Sequence, residues 1–356
     1  MTSAELALLG KNVFANTLID GVSREHQVFA RFNALPLKGT QYDSMVIAGD
    51  PTASRFLRRG EGYTAGRRTF AKGKVNAARL GFMIDEPVSV TDEWNRAAAE
   101  AGISGLDWLT QCAMGQFETH LAYVENQLFL GTANDVLGFL GLKEICSYVS
   151  GNVLALTDRP EASGYVKSVM NAAGSTANTA DSVYSVNMGD RACTLRIGGE
   201  QGIQGFLKMS PVVKEYQADA ADATRQQQNY KSHCEGYIGL EVMGSSEAYA
   251  DRAYSQFDVR RLANLTVAVP LTEAMLDSLI ESHPDGHMPN ILFMSKRAQT
   301  QLRTSRAGST PAVSINMGAG EARNAQYTLT LPLPDNHRGI PIVATRRIAS
   351  TQAIET

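Results

Sequence analysis

The sequence has no apolar run approaching the roughly 18 residues that a membrane-spanning helix needs. Asp135 to Leu142, among its most apolar stretches, is far shorter, so no transmembrane helix and no membrane partner are expected. The amino terminus, Met1-Thr2-Ser3-Ala4-Glu5-Leu6, lacks a basic region leading into a long apolar segment. No secretory signal is therefore expected, and the protein should be made and kept in a cytosol. Cys-x-x-Cys is missing as well. Cys112, Cys146, Cys193 and Cys234 stand more than thirty residues apart, which argues against a zinc ribbon and fits four reduced thiols. A large excess of one charge is also absent. The 356 residues carry a net charge of −3, which argues against a surface that grips nucleic acid throughout.

The motifs of common chemistries are missing too. Gly60 to Arg68 does not have the Gly-x-x-x-x-Gly-Lys-Ser/Thr spacing of an NTPase loop, and no Gly-x-Ser-x-Gly elbow occurs. Gly198 to Gly205 departs from Gly-x-Gly-x-x-Gly and reads as a surface turn. The carboxylate pairs Asp85-Glu86 and Asp92-Glu93 fall at element boundaries, where turn and cap chemistry accounts for them. His283, Asp285 and His287 could supply metal ligands if their loop folded back, but Pro284 and Gly286 between them favour a flexible surface turn. No catalytic residue, metal or cofactor is expected, and the chain is read as not an enzyme.

What is present is material for a core: 44% apolar and 19% charged residues suit a folded chain of about two compact units. Residues 1–35 hold a short apolar helix candidate and polar extended sequence without a core-forming period, and read as an arm. From Pro36 the chain is Gly-rich and has the composition of a long two-stranded loop. Between Ser54 and Arg79 it carries Arg55, Arg58, Arg59, Arg67, Arg68, Lys72, Lys74 and Arg79 against Glu61 alone. A hairpin this long has little apolar surface to support it, and its charge calls for an acidic or phosphate-bearing neighbour. Support from another chain is the simpler expectation.

Leu80 to Val90 reads as a strand. Ser104-x-x-Asp107 then gives a helix start signal, and Leu106, Leu109, Ala113, Phe117, Leu121, Val124 and Leu128 recur at the helical period. This predicts a helix over 104–129 whose stripe is buried, about 39 Å long at 1.5 Å per residue. Further on, Glu161 to Ala173 reads as a helix, and Ser182–Met188 with Ala192–Ile197 as a hairpin around Gly189-Asp190-Arg191. Tyr230–Met243 and Tyr254–Thr266 read as two long strands. Thr272 caps a helix to Ser282, Asn290–Met294 is a buried strand, and Ser295 caps the next helix. Tyr327–Leu331 and Gly339–Thr345 close the chain as strands. The elements lack βαβ regularity, so the fold class is α+β.

An arm, a basic Gly-rich hairpin, one long helix and mixed sheet segments together resemble the major capsid proteins of tailed bacteriophages, with the Hong Kong 97-like fold. The hairpin from Ser54 through Tyr63 to Asp85 resembles the family's E-loop, which lies across a neighbouring subunit, and 104–129 resembles its spine helix. Segments 182–197, 236–242, 258–265, 290–302 and 339–345 are each similar to parts of such proteins. The last two follow the long strands here rather than preceding them, which implies a permuted connectivity. The resemblance implies an arm over 1–35, an E-loop over 36–80, a peripheral domain over 81–130 and 183–269, and an axial domain over 131–182 and 270–356. It also implies inter-subunit contacts at Arg55, Arg58, Arg59, Glu61, Arg67, Arg68, Lys72 and Lys74. The implied function is self-assembly, as hexamers and pentamers, into an icosahedral shell of a virion that encloses double-stranded DNA through weak, non-specific contacts, put together in a host bacterial cytoplasm. Portal, scaffold and decoration or cement proteins are the implied partners. An encapsulin-like compartment is the alternative within the same fold, and a soluble cytosolic enzyme the alternative outside it.

Overall fold

The computed structural model describes residues 28, 31–37, 41–49, 69–100, 107–148, 152–156, 167–190, 192–198, 208–218, 226–242, 258–284, 286–309 and 332–355. In chain order the elements are β1 (Ala34–Leu37), β2 (Gln41–Gly49), β3 (Thr69–Asn76), β4 (Ala78–Pro87), α1 (Val88–Glu100), α2 (Trp108–Leu130), α3 (Leu142–Ile145), β5 (Val153–Ala155), β6 (Val169–Asn171), β7 (Asp181–Val186), β8 (Cys193–Gly198), β9 (Lys208–Met209), β10 (Val213–Ala218), β11 (Gln226–Val242), β12 (Val259–Leu265), α4 (Glu273–Glu281), β13 (Ile291–Ser295), α5 (Lys296–Ser309), β14 (Asn336–His337) and β15 (Ile340–Thr345). This is the α+β organisation read from the sequence. No described helix is long and apolar enough to cross a membrane.

The first sheet is organised by β11, a strand of 17 residues. Its first half pairs with β10 on one side and β4 on the other, and its last six residues pair with β8, which in turn pairs with β1. Helices α1 and α2 cover one face. Phe82 of β4 packs its ring 4.7 Å from that of His120 on α2, and His120 Nε2 lies 2.9 Å from the Gly81 carbonyl oxygen. The opposite face carries the exposed residues Arg79, Met83 and His233.

The second sheet has seven strands in the order β14-β15-β13-β7-β12-β6-β5. Strand alternation sends successive side chains to opposite faces, and here both faces are covered. Leu292 and Met294 of β13 meet Leu276, Leu279, Ala298 and Leu302 of α4 and α5. Ile291 and Phe293 face a core shared with Val124, Leu128 and Phe129 of α2 and with Leu195, Ile197, Ile238 and Leu240 of the first sheet. Phe293 stacks on Phe32 at 5.7 Å and meets Phe129 edge-on at 5.7 Å.

Several local expectations change in three dimensions. Val28 and Phe32, within the segment read as an arm without a core pattern, are buried in that shared core. The strand expected over 80–90 ends at Pro87, where a ring with no N–H and a fixed φ suits the first turn of a helix; α1 follows and buries Thr91, Trp94 and Ala98. The long helix starts at Trp108, because Asp107 itself is the cap, with its Oδ2 accepting from Thr110 N at 3.1 Å. Its stripe is buried only in the second half: Val124 and Leu128 are in the core, whereas Phe117 is 41% exposed.

Strands 181–186 and 193–198 are no hairpin. β7 pairs with β12 and β13, and β8 pairs with β1 and β11, so the chain crosses between sheets. The two long strands separate likewise, β11 into the first sheet and β12 into the second. β7 and β12, which the resemblance placed in a peripheral domain, are thus hydrogen-bonded into the sheet that holds β13 and β15. The helix expected over 161–173 gives way at 169–171 to β6, parallel to both β5 and β12. Thr272 and Ser295 do cap α4 and α5, accepting from Met275 N at 3.3 Å and Ala298 N at 3.0 Å. Tyr327–Leu331 lies outside the described residues.

Candidate subunit interface

The basic hairpin begins as an antiparallel ladder from Gln41 opposite Asn76 to Ile47 opposite Phe70, with an irregularity before Gly49. Lys72 stands opposite Met45, and Lys74 opposite Asp43. Among the described residues β2 and β3 pair only with each other. A two-stranded ribbon gains little stability by itself. Arg55, Arg58, Arg59, Glu61, Arg67 and Arg68 lie outside the described residues. Arg79, at the base, is held within the chain: its Nε donates to Glu235 Oε2 at 3.1 Å and its Nη2 bonds the same oxygen. That bond and charge hold the Glu235 carboxyl below its ordinary value.

A second charged surface, not singled out from the sequence, follows directly. Between Phe82 and Leu142 the chain has nine acidic residues (Asp85, Glu86, Asp92, Glu93, Glu100, Asp107, Glu118, Glu125 and Asp135) against Arg96 alone. Asp92, Glu93, Glu100 and Asp107 are exposed on the α1 and α2 layer. Others serve the fold. Glu86 accepts from Trp108 Nε1 at 3.3 Å and from Cys112 Sγ at 3.6 Å, and Asp85 from Asn229 Nδ2 at 2.6 Å. Burial, then the Glu86 charge, pushes the Cys112 thiol up to about 12, so Cys112 is no nucleophile. A simple charge count past Arg79 is the signal that reveals this layer.

The chain also presents apolar side chains on rigid ground. Val136 and Leu137 are 80% and 86% exposed in the loop after α2. That loop is fixed from both sides. Tyr123 OH donates to Asp135 Oδ2 at 2.7 Å, Asp135 Oδ1 accepts from Leu137 N at 2.9 Å, and Gln127 Nε2 donates to the Phe139 carbonyl at 2.7 Å. Gly131 opens it at φ +60°, where an added Cβ would stand 1.8 Å from Glu144 Oε2. Holding two aliphatic side chains in water on so constrained a loop suits a surface that another molecule covers.

The histidine loop folds otherwise than expected. His283 is buried rather than on a flexible turn, with Nε2 2.7 Å from Ser185 Oγ and Nδ1 3.1 Å from the His287 carbonyl oxygen. His287 Nδ1 lies 2.9 Å from Asp258 Oδ1. Asp285 lies outside the described residues. Among the described residues no group of three or more His, Cys, Asp or Glu side chains is placed to hold a metal ion. All four cysteines are free thiols.

No protein-family model matches the chain, and no curated protein does. Its fold does match a solved structure. The near-atomic structure of bacteriophage Epsilon15 superposes with a TM-score of 0.55 at 13% identity, covering 96% of this chain and 90% of that one. The capsid of the native GTA particle (TM-score 0.40, 11% identity, 69% and 92% covered) and the holo-SrpI encapsulin complex of Synechococcus elongatus PCC 7942 (0.42, 9%, 75% and 96%) are more distant. Two packed sheets, a long helix running into the core between them and a separate two-stranded ribbon make up the Hong Kong 97-like fold.

Proposed function

We propose that this chain is a major capsid protein, a shell subunit that assembles with copies of itself, as hexamers and pentamers, into the icosahedral capsid of a virion enclosing double-stranded DNA. The observation that carries the reading is the fold match to Epsilon15 across nearly the whole of both chains. A ribbon with no partner strand among the described residues supports it, because such a ribbon gains its stability by lying on another subunit. In this reading Arg55, Arg58, Arg59, Arg67, Arg68, Lys72 and Lys74, with Glu61 among them, contact a neighbour, and the acidic α1 and α2 layer is the surface they meet.

Obligate contacts of this kind bury about 2,000 Å² or more per interface, but ordering the ribbons and losing rigid-body freedom offset much of the gain. Contacts that are individually weak and many times repeated let growth errors dissolve and reform. The arm over 1–35 and the E-loop over 36–80 are assigned as the resemblance implies. The peripheral and axial domains then follow the two sheets, with β7 and β12 on the axial side. Portal, scaffold and decoration or cement proteins complete the assembly in the host cytoplasm. The DNA is enclosed rather than gripped, since a strongly cationic wall would bind phosphates tightly. The role is geometric, with no catalytic step and no cofactor.

Electron microscopy of the purified full-length protein tests this directly. Closed particles of uniform size are expected. A protein that sediments only as a monomer or dimer, at all concentrations and in the presence of crowding polymer, would overturn it.

A further inference from the structure

At one end of the second sheet, β13 and β15 finish side by side and parallel, with Ser295 opposite Thr345, and α5 starts at the next residue, Lys296. Between these ends lies a cleft of about 320 Å³ whose lining includes Ser295, Lys296, Arg297, Thr345, Arg346 and Ser350, with Ile348 and Ala349 as its apolar part. Three of these side chains are cationic and three carry hydroxyls. Crevices outside the carboxyl ends of parallel strands are where open sheets hold ligands. Here the start of a helix adds first-turn N–H groups that have no partner within the helix.

The cations are held in distinct ways. Arg297 is anchored through Nη2 to the Thr179 carbonyl, and its Nε is buried without a hydrogen bond among the described residues. Lys296 and Arg346 are exposed. The neighbouring Arg347 reaches instead toward Glu125, with Nε 3.3 Å from Oε2, so the adjacent pair is divided between a buried carboxylate and the cleft. Among the described residues the carboxylate beside Arg297 is Asp181, which is fully buried and not part of the lining. It accepts from Ser182 N at 2.8 Å and from Ser295 Oγ, and lies 3.5 Å from Arg297 Nε. Burial raises its pKa, against the pull of those partners, which weakens its opposition to an anion.

We propose that this cleft binds a phosphate group, either free inorganic phosphate or the backbone phosphate of a nucleic acid. The tetrahedral oxygens of phosphate can accept from the Thr345 and Ser350 hydroxyls and from the cations together, whereas a planar carboxylate reaches fewer donors; the Ser295 hydroxyl is already committed to Asp181 and Ala298 N. Charge-assisted hydrogen bonds to Lys296 and Arg346 supply affinity, and Arg297 with the helix start supplies direction. The site stands on its own geometry and does not depend on shell assembly.

The test is calorimetric titration of the full-length protein at low salt with inorganic phosphate and, separately, with a short DNA duplex. Lys296→Gln, Arg346→Gln and the double variant are run in parallel, with circular dichroism confirming the fold. Should the double variant melt early, Arg346→Gln, which alters an exposed side chain, carries the comparison. Each substitution is expected to weaken phosphate binding about tenfold, the scale of one charged hydrogen bond. Duplex binding that phosphate competes away, and that the same variants weaken, assigns the ligand as nucleic-acid phosphate. Phosphate binding with no duplex binding assigns the free anion. Absence of binding by either probe at millimolar phosphate, or wild-type affinity in the double variant, would overturn the proposal.

Discussion

Arg261, in the middle of β12, and Glu355, near the carboxyl terminus, form a two-point ion pair: Nη1 donates to Oε2 at 2.7 Å and Nη2 to Oε1 at 2.9 Å. Lys143 Nζ approaches the same carboxylate at 3.1 Å. Asn264, held at φ +59°, closes the backbone side, donating to the Glu355 carbonyl at 2.8 Å and accepting from its N–H at 3.0 Å. The guanidinium is buried, so without the carboxylate it would be a charge with no counter-ion.

Glu355→Ala is therefore expected to cost on the order of 3 kcal/mol in urea denaturation of the unassembled protein. The pH dependence has a definite sign. Burial works to raise the Glu355 pKa, but Arg261 and Lys143 outweigh it and leave the carboxyl below its ordinary value. A depressed acid contributes stability that is present above the unfolded-state pKa and is lost as pH falls through the folded one. Acidification below about pH 4.5 should thus cost the wild type more than Glu355→Ala, and equal acid slopes would contradict the pair's role.

Phe293 and Phe117 should behave oppositely. Phe293→Ala removes the ring that both Phe32 and Phe129 pack against and should cost about 3–5 kcal/mol. Phe117→Ala changes an exposed position and should stay within about 1 kcal/mol. Thermal or chemical denaturation of the two variants side by side gives the comparison.

Arg196 Nε lies 2.5 Å from Glu241 Oε2, with both side chains nearly buried and Glu241 Oε1 without a hydrogen bond among the described residues. Burial raises the Glu241 pKa in spite of Arg196. Removing one partner leaves a buried charge, so Arg196→Met should cost about 3–5 kcal/mol. The double variant Arg196→Met, Glu241→Leu should cost less than that single change, a coupling read from a urea double-mutant cycle.

Arg58→Glu with Arg59→Glu should give a folded protein of wild-type melting temperature that forms no closed particles. If the acidic helix layer is the surface these arginines meet, adding Asp92→Lys and Glu93→Lys should restore particles seen by electron microscopy. Normal particles from the arginine variant alone would remove the hairpin from the interface.

Locally signalled features were readable in advance. Thr272 and Ser295 announce α4 and α5 because a hydroxyl before an apolar period is itself the capping group. Strand partners were not. A glycine-centred turn between 181–186 and 193–198 is the local mark of a hairpin, yet all six positions of each strand are buried, and distant strands compete for their edges. Val88-Ser89-Val90 reads as strand because β-branched residues favour it, whereas tertiary packing of Trp94 and Ala98 holds it helical. Periodicity showed that α2 has an apolar face, but not that Phe117 lacks a cover. At the proposed interface the basic ribbon is plain from composition, whereas the acidic residues of α1 and α2 do not stand out as a set because each carboxylate, taken singly, resembles a cap.

The cluster that joins Leu195, Ile197 and Leu240 of the first sheet to Tyr184, Val259 and Phe293 of the second makes the sheets thermodynamically inseparable. Each has one apolar face that it cannot keep dry without the other, so they are expected to behave as one cooperative unit. Heating the purified protein at low concentration should give a single transition, and a fragment carrying one sheet alone would expose half a core to water.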